Sequence, residues 1–580
     1  MSRSYSFARS RTALHGLALA SVSFLVSPAV QAEIVEPGSL SGAAEFLMET
    51  DTTTPGIYPG VSVGTAADGS FVLAYQVIEE GHEVYAQRFN ADGSAKGDAF
   101  RVNTSTIYHQ YEPSVAMAPD GAFAIAWHST DAYYTDPHGY HAYSQAYDAE
   151  GNPVGGEVDI PNQDLRWGEF PKAAMAPDHS YVVVWNGGMG VYAHRFDANG
   201  NTVGSVIEVA PHIEWAGHAD VAMNTDGSFL VAWRDEDVFS VGDGDGAGVM
   251  VSKYNADGTL AFGPTRVNVT TAGNQQRPAI AAAMDGSFIV TFDNISADPQ
   301  DINVLGRAFT ADGTPVGDEF LVNQTEASEQ LNVDLTATAD GYIVAMWVDS
   351  SQSDAMMVRT FEADGTPVTS EAALSLEHVN TSRDGSISAN ANGDTLAVWA
   401  GSDRDVYTRV IAGASVDLSV SLTGGGSEID QGESETFTVA LTNVSLPAAT
   451  GVTAIDAERA VSRNPQVEVP LGSGMSLIGH GGAGWNCSET AGVVSCQFDT
   501  ALKSGESSDD LSLEIGFANA GESSVTVEGS DGKTGEIDVA DNSASASITV
   551  NAVGGDSGGG SAGFALLAAL GLFRLRRRTC

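Results

Sequence analysis

A turn dipeptide, or its remnant, followed seven residues later by an aromatic residue occurs seven times in this 580-residue chain. The pairs are Asp68/Tyr75, Asp120/Trp127, Asp178/Trp185, Asp226/Trp233, Asp285/Phe292, Asp340/Trp347 and Asn392/Trp399. The interval between successive turns drifts from 48 to 59 residues while the internal spacing holds. That combination marks a structural unit with loops of variable length. Short runs of Val, Thr, Phe and Tyr lie between Gly, Asp and Asn, and no long 3.6-period segment interrupts them. The chain is therefore expected to be all-β.

One repeat, residues 112–161, reads as four strands. Strand A is PSVAMA and strand B is FAIAW, joined at Asp120-Gly121. Strand C is AYSQAY and strand D is GEVDIP, joined at Glu150-Gly151-Asn152. Asp-Gly and Asn-Gly supply the positive φ angles that tight hairpins need. A second aromatic marks strand C at Phe89, Tyr147, Phe196, Tyr254, Phe309 and Phe361. Four-stranded units of this size in series fit a β-propeller or an open array of β-sandwiches. The ends of the array favour a ring. The seventh repeat has strands A to C and no strand D, while a spare strand D, Ala44-Glu-Phe-Leu-Met48, stands in front of the first. It matches Asp318-Glu-Phe-Leu-Val322. The expectation is a seven-bladed β-propeller over residues 40–413, closed by an N-terminal strand, since closure removes exposed sheet edges.

The repeats resemble propeller-like repeats of large secreted bacterial proteins. The shared pattern stands here as DGSFVLAY, VYAQRFNADGSAKGDAFRVN and VLGRAFTADGTPVGDEFLVN. The resemblance implies a scaffold and no particular chemistry.

After Gly413 the text changes. Residues 414–551 carry short alternating strands that suggest an Ig-like β-sandwich. Cys487 and Cys496 lie nine residues apart there, a spacing that suits a disulfide across a hairpin or two buried thiols. The segment resembles the conserved repeat of bacterial cell-surface proteins through Asp417-Leu-Ser419, Phe437–Asn443, Trp485-Asn-Cys487, Val494-Ser-Cys496 and Asp541-Asn542. Such modules act as stalks.

Both ends read as addresses. Residues 1–32 hold Arg3, Arg9 and Arg11, an apolar stretch, and Val30 and Ala32 at the −3 and −1 positions of a signal-peptidase site. Residues 552–563 form a Gly/Ser linker, and residues 564–580 an apolar run ending in Arg574, Arg576, Arg577 and Arg578. The run is shorter than the roughly 20 residues of an ordinary spanning helix. The tail resembles the GlyGly-CTERM sorting signal of Gram-negative bacteria, which a rhomboid-type protease cleaves; a permanent anchor is the alternative. Either way the membrane is met only through this tail, and the body is expected outside the cell or on its surface.

The formal net charge is −49, which argues against nucleic-acid partners. In a propeller the short A–B and C–D turns share one face and the longer B–C and D–A loops the other. Binding concentrates on variable loops carried by rigid scaffolds. The candidate ligand-binding residues there are Tyr108, His109, Tyr111, His128, Tyr134, His138, Tyr140, Trp167, His212 and Trp215. Flat rings with polar neighbours suit a saccharide. Asp235, Asp237, Asp243 and Asp245 form an acidic Gly-rich loop suited to calcium, although the full EF-hand spacing is missing. There is no HExxH, no GxSxG and no Cys beside a His, and no catalytic residues are assigned. The reading is a binding or adhesion protein for an extracellular glycan or protein. The alternatives are an extracellular polysaccharide hydrolase or lyase, and a purely structural surface protein.

Overall fold

The computed structural model of the chain describes residues 46–48 and most of 57–553. Outside the described set lie 1–45, 49–56, 79–80, 106–108, 131–139, 161–167, 188–189, 212–216, 237–245, 296–301, 327–328, 351–354, 376–384, 392, 402–405, 412–415, 427, 446–461, 463–464, 504, 532–541 and 554–580. The signal segment and the sorting tail fall in these gaps. Among the described residues no helix is long and apolar enough to cross a membrane.

From residue 46 to residue 411 the described strands form four-stranded antiparallel sheets, seven in number, each a meander in the order A-B-C-D. Sheet 2 is typical, with Gln110–Met117, Phe123–Ser129, His141–Tyr147 and Pro153–Asp159. Its strand D starts three residues earlier than the sequence suggested. The C–D turn closes tightly, Asp148 N donating to Asn152 O at 3.0 Å and Gly151 N to Asp148 O at 2.9 Å, so the chain resumes the ladder at Pro153.

In sheets 1, 4 and 5 a serine follows the Asp-Gly of the A–B turn and sharpens it. The Asp226 carboxylate accepts from Ser228 N at 2.9 Å and Ser228 Oγ at 2.6 Å, and Asp68/Ser70 and Asp285/Ser287 repeat the arrangement. These bonds hold the Asp68 and Asp226 carboxyls below the usual carboxylate range.

Strand B is buried throughout, because both of its faces meet another sheet. One apolar cluster sits between each pair of successive sheets. Val72 and Val84 of sheet 1 meet Phe123 and Trp127 of sheet 2. Ala124 and Ala126 meet Tyr181 and Trp185 of sheet 3. The pattern continues to the last cluster, where Leu396 and Val398 of sheet 7 meet Val61, Val63 and Leu73 of sheet 1. The A strands follow the same circuit, each beside the next and the seventh beside the first. The described residues thus form a circular array of sheets consistent with a β-propeller.

The marker aromatics have distinct jobs. The first residue of strand B stacks on the strand-C aromatic, as in Tyr181–Phe196 (4.5 Å between centroids) and Phe123–Tyr147 (4.7 Å). The aromatic seven residues after the turn stacks further along, as in Trp127–Tyr143 at 5.8 Å and Trp399–Tyr407 at 6.3 Å.

The consensus residues at strand D tie it to strand C of its own sheet and to the sheet before. Asn103, Asn268 and Asn323 each accept a strand-C amide, from Val84, Val249 and Val304, at 2.8–2.9 Å. Glu157, Glu319 and Glu371 reach back to the preceding sheet and accept from Thr104 N, Thr270 N and Gln324 N at 2.6–3.0 Å.

The last sheet is completed from the front of the chain. Phe46, Leu47 and Met48 pair antiparallel with Thr408, Tyr407 and Val406. This is the register that the displaced strand D requires.

Residues 416–553 form two further sheets. One has the order Leu418–Thr423, Ser434–Asn443, Leu511–Phe517, Met475–Gly481, and the other has six strands. Phe437, Val439 and Leu513 from the first share a core with Val467, Val527 and Ile548 from the second. This is a two-sheet sandwich. Cys487 and Cys496 face each other across a hairpin and are disulfide-bonded, and Trp485 donates to Asp509 O at 2.7 Å.

Two outcomes check this account. Leu47→Pro removes an amide from the three-residue pairing, and thermal unfolding should start at a lower temperature, with sheet 7 the first region to gain amide exchange. Trp185→Ala, in a fully buried site, should cost about 3–5 kcal/mol in denaturant unfolding.

Candidate functional site

The inward positions of the A strands line a central channel. Small side chains dominate it: Ser62, Ser114, Ala279 and Ser386 occupy equivalent places. Several stitch one sheet to the next. Ser62 Oγ accepts from Val115 N at 2.9 Å, Ser114 Oγ from Ala173 N at 3.1 Å, and Ser386 Oγ from Val63 N at 3.3 Å. Asp220 Oδ2 accepts from Ile280 N and Asp334 Oδ2 from Ile387 N, both at 2.9 Å. The equivalent place in sheet 3 holds Lys172, whose ammonium can donate but never accept.

Lys172, Asp220 and Asp334 therefore put three charges into a channel otherwise lined by small neutral groups. Both carboxyls are half-exposed to the lumen yet packed round by protein. Burial pushes the Asp334 carboxyl up to about 6, with Asp220 adding to the shift and Lys172 opposing it. Burial also raises Asp220, again against Lys172.

Above this cluster the channel opens in a rim built on strain. Every A strand from sheet 1 to sheet 6 carries a bulge at the same point. At each bulge one residue has positive φ: Gly60 (140°), Glu112 (53°), Phe170 (53°), His218 (57°), Arg277 (49°) and Asn332 (58°). Five are not glycine, and such a conformation costs an L-residue about 1–3 kcal/mol. Hydrogen bonds within and between sheets hold some of them in place. Glu112 N donates to Gln76 Oε1 at 2.8 Å, and Asn332 N and Arg277 Nη1 both reach Asp293 Oδ2 at 3.4 Å. The rim lines a cavity of about 120 Å3, and Lys172, Asp220 and Asp334 also line a second cavity of about 250 Å3.

Rings lead from the rim outward across sheets 4 to 1. His218 lies 5.4 Å from Phe170, Phe170 6.0 Å from His128, and His128 5.4 Å from Tyr111. Tyr111 then meets His82 at 4.8 Å and His109 at 5.7 Å, and Tyr140 flanks His128 at 6.0 Å. His128 is buried, which holds its imidazole down to about 3 and keeps it neutral. His109 Nδ1 accepts from His82 N at 3.2 Å.

Of the candidate binding residues, His109, Tyr111, His128 and Tyr140 are thus brought together beside the rim. Tyr108, Tyr134, His138, Trp167, His212 and Trp215 lie outside the described residues, as do Asp237, Asp243 and Asp245. Asp235 is buried in the strand Phe229–Glu236 rather than in a loop. Asp293 lies inside the strand Phe288–Ile295, where Arg277 and Asn332 of the rim reach its carboxylate. Among the described residues no group of three or more His, Cys, Asp or Glu is placed to hold a metal ion. The channel charges and Arg277 were not singled out from sequence. The available signal was the non-small side chain at Lys172, Asp220 and Asp334, where aligned repeats carry Ser or Ala.

No family model matches the chain, and no curated protein does. Among solved structures it is similar to a protein of unknown function from Dyadobacter fermentans DSM 18053, at 12% identity over 64% of this chain and 98% of that one, with a TM-score of 0.41. It is similar to a PL25 ulvan lyase bound to -[GlcA(1-4)Rha3S]-, at 12% identity over 62% and 94%, TM-score 0.41. A Penicillium chrysogenum alpha-L-arabinanase complexed with arabinobiose follows at 10% identity over 64% and 98%, TM-score 0.36. At this level of similarity no activity transfers to the chain.

The raised Asp334 carboxyl sets a pH dependence. Between its ordinary value of about 3.9 and about 6, the native state binds a proton that the unfolded state lacks, so protonation stabilises the fold. That contribution is complete below pH about 4 and is lost as pH rises past 6. Acidification from pH 7 to 5 should raise the thermal midpoint of the wild type more than that of Asp334→Asn, which keeps an acceptor for Ile387 N.

Proposed function

We propose that this chain is an exported protein whose head, a seven-bladed propeller sealed by its N-terminal strand, engages a glycan at the channel mouth. The observation that carries the reading is the rim. Positions that are equivalent in the repeat, and equally strained, hold a carboxylate, an aromatic ring, an imidazole, a guanidinium and an amide. A scaffold alone gains nothing from that variety. Rings offer apolar faces to sugars, and the polar groups fix hydroxyls in orientation. The Ig-like sandwich serves as a stalk, and the terminal segments as a signal peptide and a cleavable sorting tail. Export of the intact protein from its Gram-negative host should yield an N-terminus at Glu33 and loss of the terminal arginines, both readable by mass spectrometry.

Adhesion through this face and hydrolysis at it share the same mouth. A specific observation favours the enzymatic alternative. Burial raises the Asp334 carboxyl to about 6, and a second carboxyl, Asp220, lines the same cavity. A carboxyl that holds its proton near pH 6 is suited to general acid work, and glycoside hydrolysis uses carboxyl pairs. A glycan array followed by assay of reducing-end release separates the two. Phe170→Ala should weaken binding about tenfold, the worth of one stacked ring at roughly 1.4 kcal/mol. Asp334→Asn should abolish release while leaving array binding in place if the site hydrolyses, and should change nothing measurable in release if it only binds. Silence toward every glycan would remove the proposal.

A further inference from the structure

Resting on the glycan reading, we infer that the site recognises the ends of polysaccharide chains rather than their interiors. The argument is topological. Lys172, Asp220 and Asp334 sit in the lumen of a closed circuit of A strands, below a rim to which every sheet contributes. Among the described residues the rim has no gap: Gly60, Glu112, Phe170, His218, Arg277 and Asn332 follow one another, and Gly385 lines the seventh side. An open cleft lets a polymer lie across it with both ends leaving. A closed rim admits an end, or else a chain folded back on itself.

Size decides between those two. The cavity inside the rim measures about 120 Å3. A dry protein cavity of about 150 Å3 takes a single benzene ring. The mouth therefore has room for one ring at a time, and a doubled-back chain needs two abreast.

The row of aromatic and imidazole rings supplies the rest of the path. It begins at the rim with His218 and Phe170 and continues at Tyr111, His82 and His109 over sheets 4 to 1, the buried His128 bridging Phe170 and Tyr111 from within the protein. A terminal sugar in the mouth would place the following sugars on this row. The opposite arc of the rim carries Arg277 and Asn332, tied to Asp293, with no matching row among the described residues. A platform on one side of a closed hole is the arrangement that a chain with one buried end requires.

Lys172 reports occupancy of the lumen directly. The lysines of the chain are Lys96, Lys172, Lys253, Lys503 and Lys533, and among the described ones Lys172 lines the channel. The exported full chain is treated briefly with an amine-reactive reagent in the presence of arabinan, xylan, laminarin, alginate or ulvan. Each polysaccharide is offered at one fixed mass, intact and partly hydrolysed to chains about one tenth as long. Labelling of each lysine is read by peptide mass spectrometry, with Lys96 as the exposed control. End recognition predicts that, for the polysaccharide bound, the concentration giving half protection of Lys172 falls about tenfold by mass when its chains are shortened tenfold, while Lys96 is unchanged. Equal protection by equal mass, whatever the chain length, overturns end recognition and leaves the glycan reading standing. Binding on an array without any protection of Lys172 also overturns it, because the ligand then stays outside the lumen. No binding and no protection with any glycan overturns both.

Discussion

Each sheet of the ring is apolar on both faces, and that fact governs the rest. A sheet like sheet 3, with Val182 and Val184 on one side and Val183 and Trp185 on the other, cannot rest one face in water as an ordinary antiparallel sheet does. It needs a neighbour on each side. A linear stack would leave two such faces exposed, and the cluster joining Val61 and Val63 to Leu396 and Val398 is where that exposure is cancelled. The hydrogen-bonded clasps refine a geometry that apolar burial has already demanded.

The same division of labour separates scaffold from site. Residues that recur do so because the scaffold uses them: the serine after several Asp-Gly turns, the Asn and Glu at strand D, the aromatics of strands B and C. Residues that differ at equivalent places are released from that duty. Lys172 shows this most clearly. Its aligned partners Ser62 and Ser114 accept a neighbour's amide, and a lysine cannot, so at that joint a stitch is exchanged for a charge facing the lumen.

Much of the scaffold was legible in the sequence, and little of the site. The turn-to-aromatic spacing and the spare strand at Phe46–Met48 led to the correct strand pairing, since hairpin chemistry and edge closure are local or near-local rules. The site escaped for two physical reasons. Alternation along strand A says that Ser62, Lys172 and Asp334 share a side of their strands, but it cannot tell a lumen from a core. The rim depends on bulges whose positive φ is occupied by Glu112, Phe170, His218 and Arg277. None of these residue types advertises a left-handed backbone as glycine does. Loops, where ligands were sought, contributed His109 and the flank at Tyr140; the centre of the ring contributed the rest.

The pairing of Leu47 with Tyr407 fixes an order of events. A ribosome makes the first of these strands long before the second, so the earliest segment of the ring is also the last to be satisfied. Until then the growing array has two raw flanks, and a wrong partner, such as strand D of another nascent copy, can occupy the waiting edge. Assembly of this protein is thus a race between self-completion and exchange between molecules, and its outcome turns on three residues near the start of the message.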